Sequence, residues 1–111
     1  MMTTGAMIKH SIPANLKRVV VYLQPISMRW GTAKLRSLCR DKLGIEPDFS
    51  TAFLFVNKSH DCLLVYSMDA DGDRTLMKKL EKGAFIVPAP EPDGAPFITM
   101  RPSILSRMFR S

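Results

Sequence analysis

Acidic residues are almost missing from the first 45 positions: Asp41 stands alone there against eight lysines and arginines. Residues 46–100 carry nine acids and five bases, and the last eleven carry three arginines and no acid. The three segments are therefore +7, −4 and +3 within a 111-residue chain of net charge +6, which makes an anionic partner a natural expectation. Cysteine is equally scarce. Cys39 and Cys62 are too far apart for a CxxC pair and lie in apolar runs, so free buried thiols are expected and a secreted disulfide framework is excluded. With only His10 and His60, a tetrahedral zinc site would need both histidines and both cysteines to converge, so no metal is expected. No apolar run approaches the length of a membrane span, and a reduced, cytoplasmic protein is the expectation. No glycine-rich phosphate loop, GxSxG turn or pair of acids in a helical frame is present. The length leaves no room for a nuclease core of the RNase-H kind, a doubly wound nucleotide-hydrolysing sheet or a dinucleotide-binding enzyme. It suffices for one core, since roughly two-thirds of the unfolded surface can be buried at this size.

What is present reads as one α+β domain over residues 12–111, preceded by a loose segment, 1–11. Val19 to Leu23 form a β-branched run ended by Pro25, which suits a buried strand. Trp30, Leu35, Leu38, Cys39 and Leu43 recur near helical spacing, with Lys34, Arg36, Arg40, Asp41 and Lys42 mostly opposite them. They predict a basic amphipathic helix of about 28 to 43, capped by Ser27 and stopped at Gly44. Phe53–Val56 and Cys62–Tyr66 flank the polar stretch 57–61 and predict a hairpin. A turn at 69–73 leads to 74–80, which fits a third strand of a meander, and Phe85–Val87 reads as a short strand stopped by Pro88 and Pro90. Ile98–Thr99 and then 102–110 give a last strand and a short helix with Ile104, Leu105, Met108 and Phe109 on its apolar face. The expected architecture is a mainly antiparallel sheet of four to five strands, with the basic helix packed on it and a short C-terminal helix.

Three constellations invite chemistry. Asp69, Asp71 and Asp73 alternate as in a calcium loop, but Arg74 stands where glycine is needed and Leu80 where glutamate is needed, so a self-bonded turn is the better reading. His60, Asp61 and Cys62 are adjacent, so they point to opposite faces of a strand and cannot form a nucleophile and base by themselves. A small enzyme built on them is the weakest reading, and no catalytic residue or cofactor is assigned. Cations remain: Arg29, Lys34, Arg36 and Arg40 on the first helix, Lys78, Lys79 and Lys82, and Arg101, Arg107 and Arg110 in the tail. Such groups neutralise phosphates, and the two basic ends would form one stripe if they met on one face. Trp30 could stack on a base, although beside a helix start it fits the core better.

The order of residues carries a further signal. Phe53-Leu54-Phe55, Asp61, Asp69, Gly72, the run Lys78-Lys79-Leu80-Glu81-Lys82-Gly83-Ala84-Phe85 and Pro88 resemble the TnpB accessory proteins of insertion sequences of the sixty-six type. Met28-Arg29-Trp30-Gly31 is similar to that family's Met-Arg-Lys-Gly signature, and Thr99, Pro102 and Leu105 resemble its last helix. The motif positions are thus Met28, Arg29, Gly31, Asp69, Leu80, Glu81, Gly83 and Phe85. Departures are Ser67 and Met68 for tryptophans, Ala70 and His60 for glycines, and an arginine-rich hairpin reduced to Lys58. The resemblance implies a non-catalytic accessory protein of DNA transposition, encoded beside a separate catalytic protein. Its expected partners are DNA and a transposase or another element-encoded protein. The alternative is a protein-interaction module without DNA binding, using the apolar face of the tail or an edge strand.

Overall fold

A computed structural model describes residues 15–90 and 92–110; the expected loose segment 1–11 lies outside them. Five strands form one sheet: β1 (Arg18–Tyr22), β2 (Thr51–Val56), β3 (Cys62–Asp69), β4 (Gly72–Lys79) and β5 (Phe97–Met100). Two helices accompany them, α1 (Thr32–Asp41) between β1 and β2 and α2 (Ser103–Arg110) after β5. The strand order is β4-β3-β2-β1-β5, an α+β arrangement in which three of the four pairings are antiparallel. The exception is β1 with β2, which run parallel. A parallel pair needs a crossover rather than a hairpin, and α1 supplies it.

The central strands explain the layers. Every residue of β2 is buried, as are Val19 to Tyr22 of β1, so both faces of the sheet need cover. On one face Val20, Tyr22, Phe53, Phe55, Leu64 and Tyr66 pack with Leu35, Leu38 and Cys39 of α1. On the other, Val19, Val21, Ala52, Leu54, Leu63 and Val65 pack with Phe85 and with Leu105 of α2. The stretch 74–80 is accordingly a strand as far as Lys79, and its place at the end of the strand order makes it an edge of the sheet.

Two boundaries differ from the sequence reading. The first helix starts at Thr32 rather than near 28, with Gly31 as its N-cap and no side-chain capping bond. Residues before it are held otherwise: Ile26 is buried and donates its N–H to the Val56 carbonyl, while Ser27 Oγ accepts from the Arg29 N–H in a local turn. The helix ends as expected near Gly44, whose φ of +67° lets the Ile45 N–H reach back to the Cys39 carbonyl. The second difference is Phe85–Val87, which is not a strand. Phe85 is fixed by one backbone bond to His60 and by its buried ring, Ile86 is 94% exposed, and the prolines that follow cannot donate to a ladder.

The β2–β3 hairpin turns through residues 57–61 with His60 at φ +60°, a left-handed conformation that favours glycine. This accounts physically for the glycine that the resembled family has there. His60→Gly is expected to raise stability by up to about 1 kcal/mol, read from urea midpoints. Leu105, fully buried from α2, is expected to cost about 2–5 kcal/mol when cut to alanine, with loss of α2 docking seen as faster amide exchange in β1 and β5.

Candidate functional site

The cations divide into those held by the fold and those left outside it. Arg36 belongs to the first group. From α1 it grips Asp73 of β4 with Nη2 at 2.5 and 2.6 Å from the two carboxylate oxygens, and its Nε lies 3.4 Å from the Tyr66 hydroxyl. That hydroxyl in turn donates to Asp73 Oδ1 at 2.8 Å. Tyr66 is fully buried, so its hydroxyl needs a partner, and Asp73 supplies one. The bonds from Arg36 and then Tyr66 hold the Asp73 carboxyl below its usual range, whereas burial is the main reason the Tyr66 phenol is pushed up. Lys78 is also engaged: its Nζ reaches the Met108 carbonyl at 3.4 Å, where a cation complements the exposed carbonyls of the last helical turn.

The second group is distributed over the surface. Lys34 and Arg40 are exposed on α1, and the Lys34 Nζ sits 4.1 Å from the Trp30 ring centroid. Trp30 itself is partly buried and packs against the α1 core, as the sequence favoured. Lys82 is exposed in the turn after β4. Arg101 and Arg107 are exposed and line a small hollow of about 290 Å³ with Ile104. Arg110 closes α2, and its side chain lies outside the described part. Since α1 and α2 cover opposite faces of the sheet, the basic helix and the basic tail do not form one stripe.

Three exposed cations do converge. Arg29, Lys58 and Lys79 line an open depression of about 780 Å³ between the turn that precedes α1, the β2–β3 hairpin and the end of β4. Ile26, Met28, Cys62 and Met77 form its apolar floor, and Ser27, Asn57 and Ser59 add polar groups. Among the described residues none of the three cations forms an ion pair. The hairpin that presents Lys58 is stiffened from within: Asn57 Nδ2 and Ser59 Oγ both donate to Asp61 Oδ1, at 2.7 and 2.8 Å, and Asn57 Oδ1 accepts from the Cys62 N–H. Lys58 had entered the sequence reading only as the remnant of a basic hairpin. Its meeting with Arg29 required the Ile26 to Val56 contact, which no local pattern announces.

The other constellations have structural roles. Asp61 is used by its own loop, which holds its carboxyl below the usual range through Asn57 and then Ser59. Both thiols are pushed up by burial, Cys39 to about 12, the opposite of what an activated nucleophile requires. Asp69 accepts from the Asp71 N–H and lies 3.6 Å from Arg74, while Asp73 points to the other face toward Arg36, so the three aspartates diverge. Among the described residues no group of three or more His, Cys, Asp and Glu is placed to hold a metal ion. Most motif positions serve the fold: Met28 packs on the α1 core, Gly31 caps the helix, Asp69 closes β3, Leu80 and Phe85 cover the second face, and Gly83 takes φ +82° in the turn between them. Glu81 is exposed in that turn, and Arg29 is the motif cation at the depression.

Because Asp73 is held below its ordinary range, its ion pair stabilises the fold above the unfolded carboxyl value near 4 and is lost as pH falls through the lower folded value. Asp73→Asn is therefore expected to unfold at lower urea than the parent at pH 7. The gap should close in strong acid, and a gap unchanged down to about pH 2 would contradict the assignment.

No curated protein and no solved structure matches the chain. A family model described as IS66 Orf2 like protein matches residues 17–110, which takes in all five strands and both helices. The chain thus belongs to the IS66 Orf2-like family, the TnpB accessory proteins of transposition.

Proposed function

We propose that this protein is a non-catalytic accessory factor of DNA transposition, acting in the cytoplasm, that contacts DNA phosphates through the depression between Arg29, Lys58 and Lys79. The supporting observation is the convergence of these three exposed cations, none of them in an ion pair among the described residues, at a place that includes the motif residue Arg29. Flexible cations around an open surface neutralise phosphates without reading base edges, so sequence-independent binding is the expected mode. Lys34 and Arg40 on the outer side of α1 extend the same face. Arg36 and Lys78 are removed from the contact set, because the fold already uses them.

A contact with a transposase or another element-encoded protein is compatible with this role, and the described apolar side chains of the tail pack against the sheet. Leu105 is fully buried, and Ile104 and Met108 pack against the same core. Among the described residues no helix is long and apolar enough to cross a membrane.

Fluorescence anisotropy with duplex DNA tests the proposal. Three phosphate contacts predict binding that weakens about 40-fold between 50 and 200 mM salt, and Arg29→Ala with Lys58→Ala should lower the logarithmic salt slope by about two. Absence of binding at 50 mM salt, or a double variant that binds as the parent does, would overturn it.

A further inference from the structure

Cations share a concave surface at a second place, the hollow beside α2. Met100, Arg101, Ser103, Ile104 and Arg107 line it. Both arginines are exposed, and among the described residues neither forms an ion pair. Residues 94–111 contain no acid, so the tail that carries them brings no carboxylate of its own. The hollow does not depend on the end of the helix, because the Ile104 and Leu105 N–H groups already donate to the Arg101 and Pro102 carbonyls. What it offers is two guanidinium groups beside the exposed Ser103. Guanidinium donors form a planar fork that meets phosphate oxygens two at a time.

Strand register fixes where this hollow lies relative to the depression. Met100 pairs with Val19, which packs on the α2 side, so the hollow belongs to the α2 face at the β5 edge. Met77 pairs with Leu64, which packs on the α1 side, and Lys79 pairs with Cys62 in the same alternation. The depression therefore opens on the α1 face, at the β4 edge. These two strands end the sheet on either side, four strand spacings or about 19 Å apart. Along the strands, Met100 is level with Ala52 through Val19, whereas the hairpin begins after Val56, about 13 Å further on. The two basic sites thus occupy opposite corners and open in opposite directions. Duplex DNA is stiff over about 150 base pairs, so one seated in the depression does not turn back to the hollow. We propose that the hollow between Arg101 and Arg107 is a second phosphate-binding site, and that the protein joins two DNA duplexes, one on each face. The inference rests on the phosphate contact proposed for the depression. With two cations against three, the hollow is the weaker site and engages its duplex second.

Capture of a fluorescent duplex by a biotinylated duplex on streptavidin beads tests the proposal, with the full chain at about 50 mM salt. The parent should capture the labelled duplex, and capture should pass through a maximum as protein is added, because excess protein occupies each duplex separately. Joining two duplexes uses about five phosphate contacts against about three at the depression, so the logarithmic salt slope should be about 4.5 for capture and about 2.7 for binding one duplex. Arg101→Ala with Arg107→Ala should lower capture at least about tenfold and change single-duplex anisotropy less than about twofold. In that double variant the depression is the sole contact, and adding Arg29→Ala and Lys58→Ala should remove most of the remaining binding. Both arginines are exposed, so the alanine protein should fold, as circular dichroism would show; Arg101→Gln with Arg107→Gln takes its place if it does not. A parent that binds one duplex without capturing a second overturns this inference and leaves the depression standing. Capture that survives loss of both arginines overturns it as well, since the second contact then lies elsewhere. A parent that binds no DNA at this salt overturns both readings.

Discussion

The apolar load of β1 and β2 governs this structure. These two strands carry buried side chains on both faces, so neither face of the sheet can be left to water. The parallel pairing of β1 with β2 follows in part from the same need, because the crossover that parallel strands require places α1 on one face. The opposite face has no second crossover helix available. The chain covers it with the Phe85 segment and the short α2, whose eight residues would not hold as a helix alone and depend on the burial of Leu105. Polar interactions then fix positions at the margins. The Arg36, Asp73 and Tyr66 group ties α1 to the edge strand, and Lys78 ties that strand to the end of α2.

Local pattern disclosed the elements better than their ends or their partners. The helical spacing of Leu35, Leu38 and Cys39 marked α1 because those residues do face the core, yet it extended the helix back to Met28. Met28 and Trp30 are apolar for the same reason, packing on that core, but from a turn. Phe85–Val87 misled in a similar way: a short apolar run is also what a covering loop looks like when one ring is buried and the next side chain is not. The parallel β1–β2 pair was not legible, since strand direction depends on where a helix packs rather than on the strand's own residues. The tail's apolar face was legible as a face. Its occupant, the sheet itself, could not be read from spacing.

The candidate site was less legible still, because charge in a sequence does not say which cations the fold consumes. Arg36 and Arg29 look alike along the chain. One lies over a buried phenol and a carboxylate, and the other stands in a turn open to solvent. Lys78 and Lys79 are neighbours, and strand alternation sends them to opposite faces, one to a helix terminus and one to the depression. A count of bases in the first 45 residues therefore overstates the unpaired positive charge on α1, while the acidic middle segment conceals two of the three cations that converge.

The family signature takes on a specific meaning in this setting. Gly31, Asp69, Leu80, Gly83 and Phe85 cap, turn or cover. A signature made of such residues preserves an architecture: a turn before α1, a hairpin and the end of β4, held in one relation to each other. What that architecture presents is a surface, and the chemistry of the surface is set by the exposed residues it carries. Here the hairpin keeps one lysine, so most of the positive charge at the depression comes from Arg29 and Lys79. The charge of that surface is therefore set by exposed turn positions, apart from the core and the signature residues that position it.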